Sequence, residues 1–377
     1  MDFALNDDHL ALRDAVQRFC EGEYPAEHRG NPETPPQAAQ RWVAMAELGL
    51  LGLPLAAHVG GSEQGPVEVM LVAQELGRAL GGGAFVSSTV MAGQLLSRLG
   101  SAAQQQRWLP ALADGSLQAA LALYEDGARY DWQQVQTHAT AKAAGYVLQG
   151  RKTLVLHGDT AGLLLVVART EGAGAGPQGL TVLAVEAQAP GVQVQGFDTL
   201  DGRRAAHVEF NQVQVPAEQV IGTPGQAAEG VEAVLQAGVA ALCAEAVGAV
   251  DALLTHTAEH LRTRKQFGVP LAKFQVLQHR MADMVIALEQ LKSMACAAAM
   301  AVQAGDAAQR RRIVSAAKVL TSQQGRQIGL TAIQMHGAMG MTDECRVGHY
   351  AKRLMVIGQL LGDSAYHLQQ LMAPTAP

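Results

Sequence analysis

Two short stretches in the last third of the chain carry side chains suited to a phosphate-bearing ligand. The first is Arg262-Thr-Arg-Lys-Gln-Phe-Gly268, followed by Val-Pro270. The Arg264 guanidinium offers paired donors to phosphate oxygens, and Gln266 adds a neutral donor. Phe267 can pack on a flat ring or a ribose. The second is Gln-Met-His-Gly-Ala-Met-Gly, Gln334 to Gly340, whose glycines Gly337 and Gly340 permit close backbone approach to a ligand. Taken singly, each reads as helix punctuation. Basic residues at a helix end favour its C-terminal dipole, and a glycine after a helix is a common cap.

These stretches need elements to hold them. Leu10, Leu12, Val16 and Phe19, with Phe3 ahead of them, give a helical spacing, and "AAQRWVAMAELGLLGLP" gives a second helix ending at Gly and Pro. "PVEVMLVAQELGRAL" and "TVMAGQLLSRLG" continue the pattern across a "GGGA" connector. The character changes near Gly115. "KTLVLHG", "LLLVVART", "LTVLAVEA" and "AHVEFNQVQVP" are short Val-rich runs between Gly, Asp and Pro signals, and they predict an antiparallel sheet. "EGAGAGPQG" reads as a flexible hairpin connection. After "GTPGQAAEG" the pattern is helical again. Leu277, Met281, Met284, Leu288, Leu291 and Ala295 form one stripe. "RRRIVSAAKVLTSQQGRQIGLTAIQMHG" is a further long helix. The expected architecture is α+β and mainly α: a helical domain over 1–114, an antiparallel β domain over 115–223 and a four-helix bundle over 224–377.

Composition narrows the function classes. A net charge of -6 makes the whole chain no polyanion binder, so no nucleic-acid partner is expected and any basic site is local. Residues are 49% hydrophobic and only 16% charged, which leaves apolar surface for other subunits. The four cysteines are scattered without a C-x-x-C pair, so neither a zinc site nor a disulfide framework is read. The acidic start "MDFALNDDHLALRD" differs from a signal peptide. The run "AGVAALCAEAVGAVDALL" is Ala-rich, broken by Glu245, and short of the ~20 strongly apolar residues that span a bilayer. A cytoplasmic chain without membrane insertion is the expectation.

In combination and in this order, the helical, β and helical segments and the stretches "RKQFGVPLAKFQ" and "QMHGAMGMTDE" resemble the acyl-CoA dehydrogenase family over essentially the whole chain. "LHGDTA", "ALCAEAVGA" and "GHYAKRLMVIGQLLGD" bring it closest to the small-subunit type of pimeloyl-CoA dehydrogenase. The resemblance implies FAD, with Arg264, Gln266, Phe267, Gln334 and Gly337 touching its ADP half from the subunit facing the one that holds the flavin ring. It therefore implies a dimer or tetramer. It also implies an acyl-CoA substrate and an electron-transferring flavoprotein as acceptor.

The chain departs from that family where the chemistry is done. The family's Glu-Gly-Thr, which carries the base, falls on Leu361-Gly362-Asp363. The alternative base position, counted back from Arg264, is Gly238. Leucine and glycine accept no proton. The usual Thr-Glu-Pro-x-x-Gly-Ser-Asp is Tyr124 to Asp131, and the usual Trp-Ile-Thr-Asn is Leu154 to His157. Asp363 and Glu245 are the carboxylates nearest the empty positions. Each has a structural alternative: a helix cap for Asp363, a buried ion pair for Glu245. His157 and His349 read as satisfied polar residues, and Asp126 and Asp131 as shapers of their loop. The losses fall on the ring side of the cofactor while the ADP side is kept. This predicts a base-lacking subunit working with a second dehydrogenase-like chain. The alternatives are a homomeric enzyme with a displaced base and a scaffold that has lost FAD.

Overall fold

The computed structural model describes residues 5–25, 33–172 and 175–373. Phe3 and the centre of the "EGAGAGPQG" connection lie outside them. The first part is helical: α1 (Asp7–Glu23), α2 (Pro35–Glu47), α3 (Pro66–Arg78), α4 (Gln94–Leu99) and α5 (Ala102–Ala113). Sequence signals set the ends. Asn6 caps α1 by accepting from the His9 N–H at 2.8 Å, and Ser101 with Gln104 forms a capping box on α5. The run read as one helix before Leu99 is in fact a π-helix, Phe85–Gly93, continuing into α4. Such wide turns are rare and concentrate at functional sites.

An eight-stranded sheet follows, in the order β6-β7-β3-β2-β4-β5-β8, with β1 against β4. Its strands are β1 (Ala119–Ala122), β2 (His138–Lys142), β3 (Gly145–Leu156), β4 (Leu163–Arg169), β5 (Leu180–Glu186), β6 (Val192–Asp198), β7 (Arg204–Pro216) and β8 (Val220–Ile221). Pairing is antiparallel, as the hairpin signals require, with two departures: β1 runs parallel to β4 from Ala119↔Leu163 to Ala122↔Val166, and β2 touches β4 in the same sense at a single bridge. The β2–β3 hairpin lies between β1 and β4 in sequence, so that pair is joined by a crossover rather than a turn.

The last part is built on α6 (Ala228–Thr263), α7 (Gln275–Gln303), α8 (Ala307–His336), α9 (Arg346–Gln359) and α10 (Ser364–Met372). The Ala-rich sequence of α6 lets neighbours approach closely, and α3, α7, α8 and α9 all pack against it. At Gly77 and Gly248 there is no room for a side chain. A Cβ on Gly77 would lie 2.0 Å from the Glu245 carbonyl oxygen. Both α6 and α7 are long and apolar enough to cross a membrane, contrary to the expectation from the Ala-rich run. The apolar window of α6 is entirely buried within the fold, which accounts for it as a core helix. On α7 the predicted stripe faces inward, with Met284, Leu288, Leu291 and Ala295 buried, while Val276, Val285 and Ile286 remain exposed.

Candidate active site

The two positions where the family places a base meet in space. Gly238 lies on α6, and Leu361 follows α9 in a left-handed turn with φ of 57°. A Cβ built on Gly238 would stand 2.9 Å from Leu361 Cδ1 and 2.9 Å from the Met91 sulfur of the π-helix. Leu361 and Met91 also line a small apolar cavity of about 20 Å³, whose walls include Ser87, Tyr124 and Leu154. Among these cavity-lining residues there is no carboxylate. Leu154 sits at a bulge in β3 with φ of 49°, one turn of chain before His157.

Beside the cavity opens a larger cleft of about 620 Å³, which shares Tyr124 and Leu361 with it. Its walls carry Tyr130 and Tyr366, whose ring centroids are 5.7 Å apart, together with Trp132. Arg311 bridges to Glu232 at 2.6 Å on the same wall. Asp363 also lines this cleft, and its Oδ1 accepts the Tyr366 N–H at 2.8 Å as the cap of α10. It stands close to the missing base position but is committed to a helix end.

Glu245 is corrected from candidate base to structural anion. Arg203 donates to it at 2.6 Å, and Arg353 donates to both of its oxygens at 2.7 Å. Arg353 also reaches Asp201 at 2.7 Å, and Arg203 reaches the Gly81 carbonyl at 2.7 Å. Burial alone would raise the Glu245 carboxyl, but the two arginines hold it below the usual carboxylate range. Asp201, Arg203 and Arg353 were not foreseen. A glutamate inside an apolar helix signals that buried cations must exist, but not where in the chain they come from.

The other sequence candidates fall into structural roles. His157 shares a 3.0 Å hydrogen bond with Ser87, and His349 one of 2.8 Å with the Asp343 carbonyl. Asp126 pairs with Arg151 on the surface, and Asp131 accepts the Gln133 N–H. Below the Leu361 turn, Lys318 donates to the Ile357 carbonyl, and His367 links Ser315 at 3.1 Å to the Leu361 carbonyl at 3.1 Å.

Burial, with nearby Arg203 and Arg353, pushes His157 down to about 3; burial, with Lys318, pushes His367 down to about 4. Both are neutral in the folded state at pH values where a free histidine, at 6.5, already takes a proton. The unfolded chain then binds more protons, so stability falls as pH drops below 6.5. His367 alone contributes a loss on the order of 2–3 kcal/mol by pH 4.5. Urea melts at pH 7.5 and 4.5 measure this, and His367→Gln should show the smaller drop. An equal drop in that variant would exclude His367 as a contributor.

The phosphate-suited residues lie elsewhere. Arg264 ends α6, and Lys265–Gln266 pairs with Val269–Pro270 in a tight hairpin whose tip is Phe267 and Gly268, both with positive φ. Phe267 is 88% exposed, and Arg264 and Gln266 are exposed beside it. Gln334 and Gly337 are exposed at the end of α8. His260 of α6 stacks on His336 of α8 with centroids 4.3 Å apart, which brings the two stretches together. Gly238 and Arg264 are 26 residues apart along α6, so the hairpin is about 39 Å from the empty base positions at 1.5 Å per residue.

The chain matches the N-terminal domain of acyl-CoA dehydrogenases over residues 6–116, the middle domain over 120–213 and the C-terminal domain over 229–374. The probable acyl-CoA dehydrogenase YngJ of Bacillus subtilis is 27% identical over 366 residues, 95% of this chain and 96% of that one. The mitochondrial 2-methylacyl-CoA dehydrogenase of Solanum tuberosum is 30% identical over 352 residues, 91% of this chain and 84% of that one. Butyryl-CoA dehydrogenase from Megasphaera elsdenii superposes with a TM-score of 0.90 at 24% identity, covering 99% of each chain, and PigA, solved with FAD and proline, with 0.89 at 24%, covering 98% of each. With all three domains matched in order and a relative at 30% identity along nearly its whole length, the chain belongs to the acyl-CoA dehydrogenase family, oxidoreductases acting on CH–CH groups.

Proposed function

We propose that this chain is the base-lacking subunit of a heteromeric, FAD-dependent acyl-CoA dehydrogenase, of the kind its resemblance to the pimeloyl-CoA small-subunit type implies. It lends the Arg264 hairpin, with Gln266, Phe267, Gln334 and Gly337, to the ADP half of FAD held by a second dehydrogenase-like chain. That partner supplies the flavin pocket and the base. Acyl-CoA is the substrate of the assembly, and an electron-transferring flavoprotein takes the electrons.

The observation that carries this reading is the meeting of Gly238 with Leu361, which itself lines an apolar cavity of about 20 Å³. A cavity of that size holds about one water. The fused three-ring head of FAD does not fit there, with Tyr124, Leu154 and Met91 as its walls. The ADP-side residues fit their part, because they are exposed and grouped. They stand about 39 Å along α6 from Gly238, and on this reading they serve a nucleotide centred on another chain. The exposed Val276, Val285 and Ile286 of α7 supply apolar surface for such a partner. Asp363 gives the homomeric alternative its one foothold, since it lines the cleft beside Leu361.

The test is flavin stoichiometry after expression alone and with the second chain. The expected result is no flavin alone and one FAD per pair. One tightly held FAD per chain in the protein made alone would overturn the reading. Within the complex, Arg264→Ala is expected to weaken FAD retention about tenfold to a hundredfold, equivalent to the ~1.5–3 kcal/mol of a charge-assisted contact. Arg264→Lys should recover part of this, because a point charge replaces a planar fork. Flavin release under dilution measures both, and unchanged release from the alanine variant would remove Arg264 from the site.

A further inference from the structure

The two nucleotide-facing stretches are tied at their roots by a pair of histidines. His260 lies in the last turn of α6 and His336 is the last residue of α8. Their rings are stacked at 4.3 Å with planes 24° apart. One turn on from His260, the Arg264 N–H donates to the His260 carbonyl at 2.9 Å, so the hairpin starts from this histidine's own turn. Gly337, with φ of 65°, follows His336 directly. The His336 Nδ1 is 2.9 Å from the Ala332 carbonyl oxygen, which places a proton on that nitrogen.

The charges around the pair decide how it behaves. Arg264, at the end of its own helix, and the His336 ring both bear on His260. The short helical turn Gly337–Met341, packed over His336 through Gly340, carries no ionisable side chain. From α9 the neighbouring group is Tyr350, whose ring lies tilted against His256 one turn earlier in α6. Among the described residues no carboxylate bears on either ring. Burial lowers both histidines from the ordinary value of 6.5, His260 further through His336 and Arg264, while the Ala332 carbonyl offsets part of the effect on His336. Both helix C-termini favour a cation, so a first proton is tolerated. A second would set two like charges face to face at a half-buried site, beside Arg264.

We propose that the His260–His336 stack is a latch that ties the root of the Arg264–Gly268 hairpin to the root of the Gly337–Met341 turn while the rings are neutral, and frees them when both carry a proton. Its consequence for FAD rests on the proposed ADP-side role of these two stretches; the latch itself does not. Closed at neutral pH, it begins to weaken as pH falls below the ordinary histidine value of 6.5, because the freed rings take protons that the stacked rings resist.

Hydrogen exchange read by mass spectrometry, corrected for intrinsic rates, tests it on the intact chain at pH 7.5 and 5.5. Protection over residues 264–271 and 337–342 is expected to fall at the lower pH, by up to about tenfold for one proton resisted one unit below the free histidine value. His260→Tyr keeps an aromatic ring in the stack without a titration in this range, and should abolish the fall. His260→Phe is the second variant, should the tyrosine hydroxyl disturb the fold. No fall in the parent chain, or an equal fall in a folded variant, would overturn the latch. FAD release from the two-chain complex, followed over the same pH range, is a separate readout. Loosened stretches with unchanged release would support the latch and take these stretches out of the nucleotide site.

Discussion

Assayed alone with excess FAD and an artificial electron acceptor, the chain is expected to show no measurable turnover of any acyl-CoA. Removal of the α-proton needs a base within hydrogen-bond reach, and a positioned base contributes ~10²–10⁴-fold. Here the two family positions for that base are a glycine and a leucine that touch each other. The deficit compounds with the closed ring-side cavity, so Leu361→Glu alone should not restore activity. Its carboxyl would enter an apolar cavity of about 20 Å³ against Met91 and Gly238, and burial there would raise its pKa and cost stability. In the two-chain complex turnover should appear and survive Asp363→Ala. Turnover by the isolated chain that disappears in Asp363→Ala would sink the base-lacking reading and name the displaced base.

The parts of this site that could be read from the sequence are those written in local pattern. Apolar spacing marked the α7 stripe through Met284, Leu288 and Leu291, and Val-rich runs between turn residues marked the sheet. The break after α6 announced itself by Gly268 and Pro270, but not the hairpin that Lys265–Gln266 forms with Val269–Pro270 there. The parallel pairing of β1 with β4 was hidden, because strand alternation says which face is buried and nothing about which strand lies alongside. The π-helix was read as ordinary helix, since its apolar content fits either period over nine residues. Gly238 and Leu361 were each identified by count, yet their contact belongs to tertiary structure. The same holds for the partners of Glu245, which lie 42 and 108 residues away in the chain.

Those partners make Glu245→Ala the most damaging single substitution expected outside the site. The carboxylate is 3% exposed and holds Arg203 from the β-domain loop and Arg353 from α9, while Arg203 also reaches back to Gly81 after α3. One anion on α6 thus bolts together all three parts of the chain. Removing it leaves two arginines, Arg353 at 4% exposed and Arg203, facing the single carboxylate of Asp201. Breaking a buried pair from one side costs about 3–5 kcal/mol, because the remaining charge stays buried and uncompensated. Asp363→Ala, by contrast, loses only the cap of α10, about 0.5–2 kcal/mol. Urea midpoints at constant slope compare the two directly. Replacing Glu245, Arg203, Arg353 and Asp201 together by apolar residues of similar volume should cost less than Glu245→Ala, since no orphan charge is left behind. If Glu245→Ala left the midpoint unchanged while abolishing turnover of the complex, the carboxylate would be working on substrate, and its place in the core would need another explanation.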